Sequence, residues 1–160
     1  MIFITLKHLN QIYNHAFIIY PEECCGLLLG VIKDNQKHVI EVFPTKNNWS
    51  LEENKILPNI TNNHEKYLSK HNRFSIAPSI LVKIQKEARD RQLQIIGIYH
   101  SHPDHIAVPS ELDRAVAWAE YSYIIVSITS NQVNGVTSWQ LDNTKNFQPE
   151  DIKIIRIDSN

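Results

Sequence analysis

The sequence has almost no cysteine, no excess of charge of either sign and no long hydrophobic run. Its 16 basic and 17 acidic residues give a formal net charge of −1, whereas proteins that bind nucleic acids normally carry a clear basic excess. We therefore expect neither a nucleic acid nor an anionic membrane surface as a partner. Apolar stretches such as 123–128 are of strand length, far below the ~20 residues that a membrane helix needs.

The two cysteines, Cys24 and Cys25, are adjacent. Neighbouring cysteines rarely bridge each other and the chain has no third cysteine, so a disulfide framework is excluded. The apolar run before Lys7 is too short for a secretory signal. Together these features predict a reduced, cytoplasmic protein.

The apolar pattern predicts a mixed α and β protein, in which one sheet packs with helices. The length of 160 residues fits a single domain over 1–160. A helical period predicts three amphipathic helices: one from Leu6 that ends before Pro21, one from Ser79, and one over 110–120. The third helix is expected to bury a face formed by Leu112, Ala115, Val116 and Ala119.

Short apolar and β-branched runs between these helices predict the strands. They lie at 24–33, 37–43, 94–100, 122–129, 136–142 and 152–157, with a short extended segment at 73–78. Residues 44–72 have no clean period and are predicted to form a long surface loop, with a helical turn at 49–52.

The stretch GIYHSHPDHIAVPSELD, residues 97–113, places histidines and a carboxylate directly after a predicted strand. Residues i and i+2 of a strand point to the same side, so His100 and His102 can bind one ion. A hydrolytic zinc site takes three protein ligands and leaves one position for water. If the turn after Ser110 folds back over the strand end, Asp113 can supply the third ligand.

The same stretch also has a purely structural explanation. Ser110 to Asp113 is an S-x-x-D helix start, in which the serine caps the first turn and the acidic group favours the positive helix end. His105 is a further candidate ligand in the loop between them. The remaining histidines are expected at the surface: His8, His15, His38, His64 and His71.

A hydrolase of this kind needs a general base to take a proton from the attacking water. The candidates are Glu22 and Glu23, directly before the strand that begins CCGLLLG. Alternation places the two carboxylates on opposite sides, so only one can serve, and spacing alone does not choose between them. Both could equally be solvated glutamates that follow Pro21.

The two halves together resemble the signature of the JAMM (MPN-plus, Mov34/PAD-type) zinc metalloproteases. H-S-H, seven residues and then S-E-L-D fits the family's H-x-H and S-x-x-D, and PEECCGLLLG resembles the segment that carries its glutamate. The resemblance is to the short, stand-alone bacterial branch and covers most of the chain. It implies an α/β fold of the MPN/JAMM-like (cytidine-deaminase-like) type, with a mixed β-sheet flanked by helices.

The resemblance also implies a role for each matching residue. His100, His102 and Asp113 match the ligands of one catalytic Zn2+ ion, Ser110 matches the serine that supports the tetrahedral intermediate, and Glu23 matches the catalytic glutamate. The implied activity is hydrolysis of a peptide or isopeptide bond at the C-terminal tail of a ubiquitin-like (β-grasp) sulfur carrier. Two rivals are a non-catalytic MPN scaffold, which would bind no zinc, and a thiol hydrolase with Cys24 or Cys25 as nucleophile.

Overall fold

The computed structural model describes residues 1–50 and 68–156, which form three helices and eight strands. The helices are α1 (Leu6–Ile19), α2 (Pro78–Asp90) and α3 (Glu111–Val116). The strands are β1 (Ile2–Thr5), β2 (Cys25–Lys33), β3 (Gln36–Thr45), β4 (Gln94–Pro103), β5 (Ser122–Ile128), β6 (Val133–Leu141), β7 (Phe147–Glu150) and β8 (Ile152–Ile155). The mixed α and β class is confirmed. None of the described helices is long and apolar enough to cross a membrane.

All eight strands belong to one mixed sheet, in the order β7-β6-β5-β4-β2-β3-β1-β8. β4 and β5 are parallel, as β1 is to β3 and to β8, and the other pairs are antiparallel. The two edge strands, β7 and β8, are separated along the chain only by Asp151. The sheet therefore curls until its edges meet, and the carbonyl of Asp151 accepts a 3.0 Å hydrogen bond from the amide of Ile2.

Helices cover both faces of this sheet, because the central strands carry apolar residues on both sides. In β2, Leu28 packs into a cluster with α1, whereas Leu27 and Leu29 pack into a second cluster with α2. Successive residues of a strand point to opposite faces, so a strand with an unbroken apolar run is buried on both faces of the sheet. The helices contribute Leu9, Ile12 and Ala16 from α1 and Ile84 and Ala88 from α2.

An irregularity in β4 decides which face the two histidines occupy. The register with β2 shifts between Leu28 and Leu29, and Ile96 and Ile98 consequently lie in different clusters although they are two residues apart. An extra residue of this kind bends a strand and reverses its alternation. Beyond it, His100 follows Ile98 on the face that α2 covers.

The sequence pattern missed β1 and β7, and it ended β4 too early. Both missed strands have only four residues, and β7 contains Pro149, which is tolerated because β7 is an edge strand. β4 continues to Pro103, so both histidines lie within the strand rather than at and beyond its end.

The predicted third helix is wrong in length and in its buried face. α3 ends at Val116 rather than at 120, and Asp113 is its buried residue. Ala115 and Ala119 are exposed, and Val116 keeps 45% of its surface. This helix is held by its capping box and by a buried carboxylate, which an apolar period cannot reveal.

The predicted loop at 44–72 is only partly described. β3 continues through Thr45, and residues 46–50 and 68–72 are irregular or turns. Residues 51–67, with most of the predicted helical turn at 49–52, lie outside the described residues.

Candidate metal centre and active site

His100, His102 and Asp113 meet at the carboxyl end of β4 and are called the triad below. Their candidate ligand atoms all lie within 4.8 Å of one another, and all three residues are buried. The two Nε2 atoms are 3.0 Å apart. The Nε2 of His100 lies 3.5 Å from Oδ1 of Asp113, and the Nε2 of His102 lies 3.6 Å from Oδ2. The first turn of α3 therefore folds back over the strand end, as a third ligand requires.

The chemistry of the triad fits a divalent metal ion. Nδ1 of His102 lies 2.9 Å from the carbonyl of Ile106, and because a carbonyl only accepts, this nitrogen carries the proton and Nε2 carries a lone pair. Burial, opposed by Asp113, lowers the pKa of His100, which disfavours a second ring proton. Two imidazoles and a carboxylate are the ligand set of catalytic zinc sites with one open position.

The capping box at the start of α3 holds Asp113 in place. Oγ of Ser110 accepts a 3.1 Å hydrogen bond from the amide of Asp113, and the amide of Ser110 donates to Oδ2 of Asp113 at 2.6 Å. Burial acts to raise the pKa of Asp113, but the neighbouring imidazoles of His100 and His102 and the hydrogen bond from the amide of Ser110 hold it well below its usual value. The structural explanation of S-x-x-D is thus confirmed, and the same carboxylate belongs to the group that could hold a metal ion.

Glu23 is the buried glutamate of the pair, with 6% of its surface exposed, whereas Glu22 is half-buried. The amide of Glu23 donates to the carbonyl of Lys70 at 2.7 Å. Burial, followed by the negative charge of Asp113, raises the pKa of Glu23 well above its ordinary value. The spacing left the choice open, and the structure places Glu23 beside the triad.

Ser101, between the two histidines, joins the glutamate segment to β4. Its Oγ accepts a 2.9 Å hydrogen bond from the amide of Cys24, and its own amide donates to the carbonyl of Cys24 at 3.1 Å. Gly26, opposite Tyr99 in the sheet, is required by close packing, because a Cβ there would lie 2.4 Å from the Tyr99 ring. These contacts fix Glu23, which directly precedes Cys24, relative to the histidines.

Asn47, which sequence reasoning missed, ties the glutamate segment to residues 73–75. Its Nδ2 donates to the carbonyls of Glu23 at 3.0 Å and of Arg73 at 2.8 Å. Its Oδ1 accepts from the amides of Trp49 at 3.0 Å and Ser75 at 3.2 Å. Asn47 lies in a stretch without any period, so the sequence offers no signal for it.

Phe74 and Arg73 were also missed. The Phe74 ring stacks on the His100 imidazole with centroids 4.5 Å apart. Burial lowers the pKa of Arg73, while the Glu23 and Asp113 carboxylates act in the opposite direction. A signal did exist, because Arg73 is the only charged residue of the otherwise mainly apolar segment RFSIAP.

A cavity of about 540 Å³ opens beside the triad, with Ser110 and Asp113 in its wall. Most of the rest of the wall is apolar or aromatic, formed chiefly by Trp49, Phe74, Ile76, Leu81, Leu112, Val116 and Trp118. Pockets of this size and character are typical of binding sites for small ligands and short peptide segments.

His105 does not join the triad. Its side chain is exposed, and its carbonyl accepts a 2.5 Å hydrogen bond from Oγ of Ser127. Its place is therefore in the loop that follows β4.

The prediction that the remaining histidines lie at the surface is partly wrong. His71 is exposed, and His64 lies outside the described residues. His8, His15 and His38 are half-buried. For example, Nδ1 of His15 forms a 2.8 Å hydrogen bond with the hydroxyl of Tyr99.

The two cysteines are poor candidates for a nucleophile. Both are free and buried, and burial is the main cause that raises the pKa of Cys24 to about 12 and of Cys25 to about 11. A thiol hydrolase needs a thiolate, so the structure disfavours that rival.

Comparisons with known proteins agree with this geometry. The family model described as prokaryotic homologs of the JAB domain matches residues 5–142. No curated protein matches the chain.

Three of the solved structures that resemble the chain do so over nearly their whole length. The solution structure of a protein from Desulfitobacterium hafniense is 24% identical with a TM-score of 0.76, covering 98% of this chain and 94% of that chain. The solution structure of a protein from Salinibacter ruber is 28% identical with a TM-score of 0.66, covering 100% and 95%. A JAB1/MPN domain protein from Archaeoglobus fulgidus is 18% identical with a TM-score of 0.54, covering 97% and 98%. These likenesses confirm the MPN/JAMM-like fold.

Proposed function

The chain belongs to the family of prokaryotic homologues of the JAB domain, and from this membership we propose that it is a zinc-dependent metallopeptidase. The observation that carries the proposal is the convergence of two histidine Nε2 atoms and a carboxylate beside the buried Glu23. Two imidazoles and a carboxylate that converge in this way can hold a cation, and an acid–base group next to that cation makes a hydrolytic site.

The proposed mechanism divides the work among five residues. His100, His102 and Asp113 would hold the ion, and the chemistry supplied by zinc is Lewis-acid catalysis, which lowers the pKa of water toward ~7 and polarises a carbonyl. Glu23 accepts the proton of the attacking water and passes it to the leaving amine.

Ser110 stabilises the negative charge that develops on the scissile carbonyl oxygen. Its Oγ already accepts the amide of Asp113, which leaves the hydroxyl proton free to donate into the cavity. A hydrogen bond made chiefly in the transition state accelerates the chemical step rather than substrate binding.

The proposed substrate is the C-terminal tail of a ubiquitin-like β-grasp protein, a sulfur carrier. The last residues of the tail would lie in the cavity beside the triad. We place the reaction in the cytoplasm, because both cysteines are free thiols, as expected in a reducing compartment.

The test is cleavage of a β-grasp sulfur carrier that carries a short C-terminal extension, followed by mass spectrometry. We expect trimming by the zinc-loaded protein, none after chelation, recovery when zinc is restored, and none with Glu23→Gln. Cleavage of unrelated peptides but of no β-grasp tail would reject the substrate and leave the enzyme class intact. Absence of both zinc and cleavage would instead favour the non-catalytic scaffold.

A further inference from the structure

The cavity beside the triad is lined by charged as well as apolar side chains. Among the described residues that line it, Arg73 is the one cation, and most of its neighbours there are apolar or aromatic. Trp118 and Val82, at 67% and 68% exposed, also line it, so apolar side chains extend from the cavity to the protein surface. The wall also contains one carboxylate, Asp113, but it faces the two histidines of the triad, so the cavity suits an apolar group that carries one negative charge.

Within the described residues, the Nε–H donor of the Arg73 guanidinium has no acceptor. The Nη1 of Arg73 donates to the carbonyl of Asn72. A guanidinium is always charged and carries five N–H donors. A partly buried cation with an unused donor is stabilised most by a carboxylate, through a charge-assisted hydrogen bond.

Arg73 is joined to Glu23, the proposed proton donor to the leaving amine, through Asn47. The side chain of Asn47 holds the carbonyls of both Glu23 and Arg73, so the two residues are fixed relative to each other. In the proposed mechanism Glu23 delivers the proton to the leaving amine. An anion bound by Arg73 therefore belongs to the residue that bears this amine.

The chemistry of the leaving group then separates a peptide bond from an isopeptide bond. In a C-terminal amino acid, only the α-carbon lies between the amine nitrogen and the free carboxylate. In an isopeptide, the whole lysine side chain lies between the leaving nitrogen and its main chain, which is itself amidated. Only the C-terminal residue can present a carboxylate to Arg73 while its amine faces Glu23.

We propose that Arg73 binds the α-carboxylate of a single apolar C-terminal residue, whose side chain enters the cavity. The protein then removes this residue from the substrate tail by peptide hydrolysis and does not act on isopeptides. Water supplies a hydroxyl group to the acyl carbon and a proton to the amine as the C–N bond breaks. The products are a tail shortened by one residue, with a new carboxylate, and a free amino acid. This inference rests on the proposed function.

The kinetic test uses three acetylated peptides with a common sequence. One ends in Gly-Leu with a free carboxylate, the second is its C-terminal amide, and the third joins the same glycine to the side-chain amine of a lysine. We expect the free acid to be cleaved with a kcat/KM about tenfold to a hundredfold above that of the amide, as a lost hydrogen bond to a charged group implies. In Arg73→Gln the ratio of the two kcat/KM values should fall toward one, because kcat/KM for the free acid decreases while kcat/KM for the amide stays the same. Arg73→Lys should give an intermediate ratio.

Lys83→Gln is the matched control, because Lys83 is an exposed cation of α2 that pairs with Glu87 and does not line the cavity. It should leave the ratio unchanged. A wild-type ratio near one, or a ratio that Arg73→Gln does not change, would overturn the inference but not the proposed function. A purely structural role of Arg73 would lower the activity toward acid and amide equally.

If the short peptides are not cleaved, a binding measurement tests whether Arg73 recognises the α-carboxylate. The zinc-loaded Glu23→Gln variant is titrated with the dipeptide Ala-Leu and with Ala-Leu amide, followed by tryptophan fluorescence, since Trp49 and Trp118 line the cavity. We expect the acid to bind about tenfold or more tightly than the amide, and this preference to disappear when Arg73→Gln is added. Equal affinities would contradict the role of Arg73, whereas a protein that neither retains zinc nor cleaves any tail would refute the proposed function itself.

Discussion

Two groups of buried polar side chains lie toward opposite ends of the sheet and are built on different principles. At the end where β5 begins, Nζ of Lys37 donates to Oγ of Ser122 at 3.0 Å, and Oγ of Ser138 donates to Oε2 of Glu150 at 2.7 Å. We call these four residues the closing cluster, because Glu150 precedes Asp151, where the edges of the sheet meet. In the closing cluster each of these donors faces an acceptor of another side chain, so the hydrogen bonds form without a ligand.

The triad shows the opposite arrangement. The Nε2 atoms of His100 and His102 face each other at 3.0 Å, both face the carboxylate of Asp113, and Nδ1 of His100 has no partner among the described residues. Unpaired buried polar groups are costly, and they persist in native proteins where a function requires them. The closing cluster pairs donors with acceptors of the chain itself, whereas the ligand atoms of the triad converge on a position that could hold a cation.

The largest effect is expected from Glu23→Gln, which keeps the shape of the side chain and removes its capacity to carry a proton. We expect kcat to fall by about 10²–10⁴-fold, with zinc content and the free energy of unfolding close to wild type. Glu22→Gln is the matched control and should retain activity. Equal losses in both variants would show that Glu23 is not the specific base.

Ser110→Ala should have the next largest effect and should act in two ways. Loss of the oxyanion donor should lower kcat by about 10²–10³-fold, and loss of the helix cap should lower the free energy of unfolding by about 0.5–2 kcal/mol. Ser110→Thr keeps the hydroxyl and should recover most of both. A variant that loses stability but keeps its kcat would restrict Ser110 to capping.

Ser138→Ala tests the other side of the comparison. It leaves Oε2 of the buried Glu150 without its donor, so the free energy of unfolding should fall by about 1–3 kcal/mol in urea denaturation. Zinc content and kcat should not change. If Ser138→Ala released zinc as His100→Ala is expected to do, the two groups would not be independent.

The smallest effect is expected from His15, which lies outside both groups. Burial lowers the pKa of His15 below 6.5, so just below that pH the unfolded chain binds more protons than the folded chain. The free energy of unfolding should therefore decrease as the pH falls through about 6.5, and His15→Gln should make this decrease shallower. The exposed His71→Gln is the control, and an unchanged slope in His15→Gln would contradict the assignment.

The sequence predicted the local features of the site and missed those that depend on distant contacts. His100 and His102 could be paired because two residues in a strand always share a face, and Asp113 followed from a local helix start. Arg73 and Asn47 were missed, because their importance comes from hydrogen bonds and charges that join segments far apart in the chain. Glu23 was distinguished from Glu22 by resemblance to a family and then by burial, not by spacing.

The fold shows the same division between local and distant information. Helix α1 and the strands from β2 to β6 could be predicted, since each carries a clear apolar period. β1 and β8 pair with each other from opposite ends of the chain, and the four residues of β1 carry too little pattern to reveal this. α3 misled the apolar analysis, because its buried side chain is Asp113 and its alanines face outward.

Metal analysis of the protein purified without added zinc tests the central claim most directly. We expect about one zinc ion per chain in the wild type, in Glu23→Gln and in Ser138→Ala. We expect its loss in His100→Ala, His102→Ala and Asp113→Ala, with each variant still folded by circular dichroism. A wild-type protein that contains no zinc and takes up none, or a His100→Ala variant that keeps its full zinc content, would contradict the assignment of the triad as a metal centre.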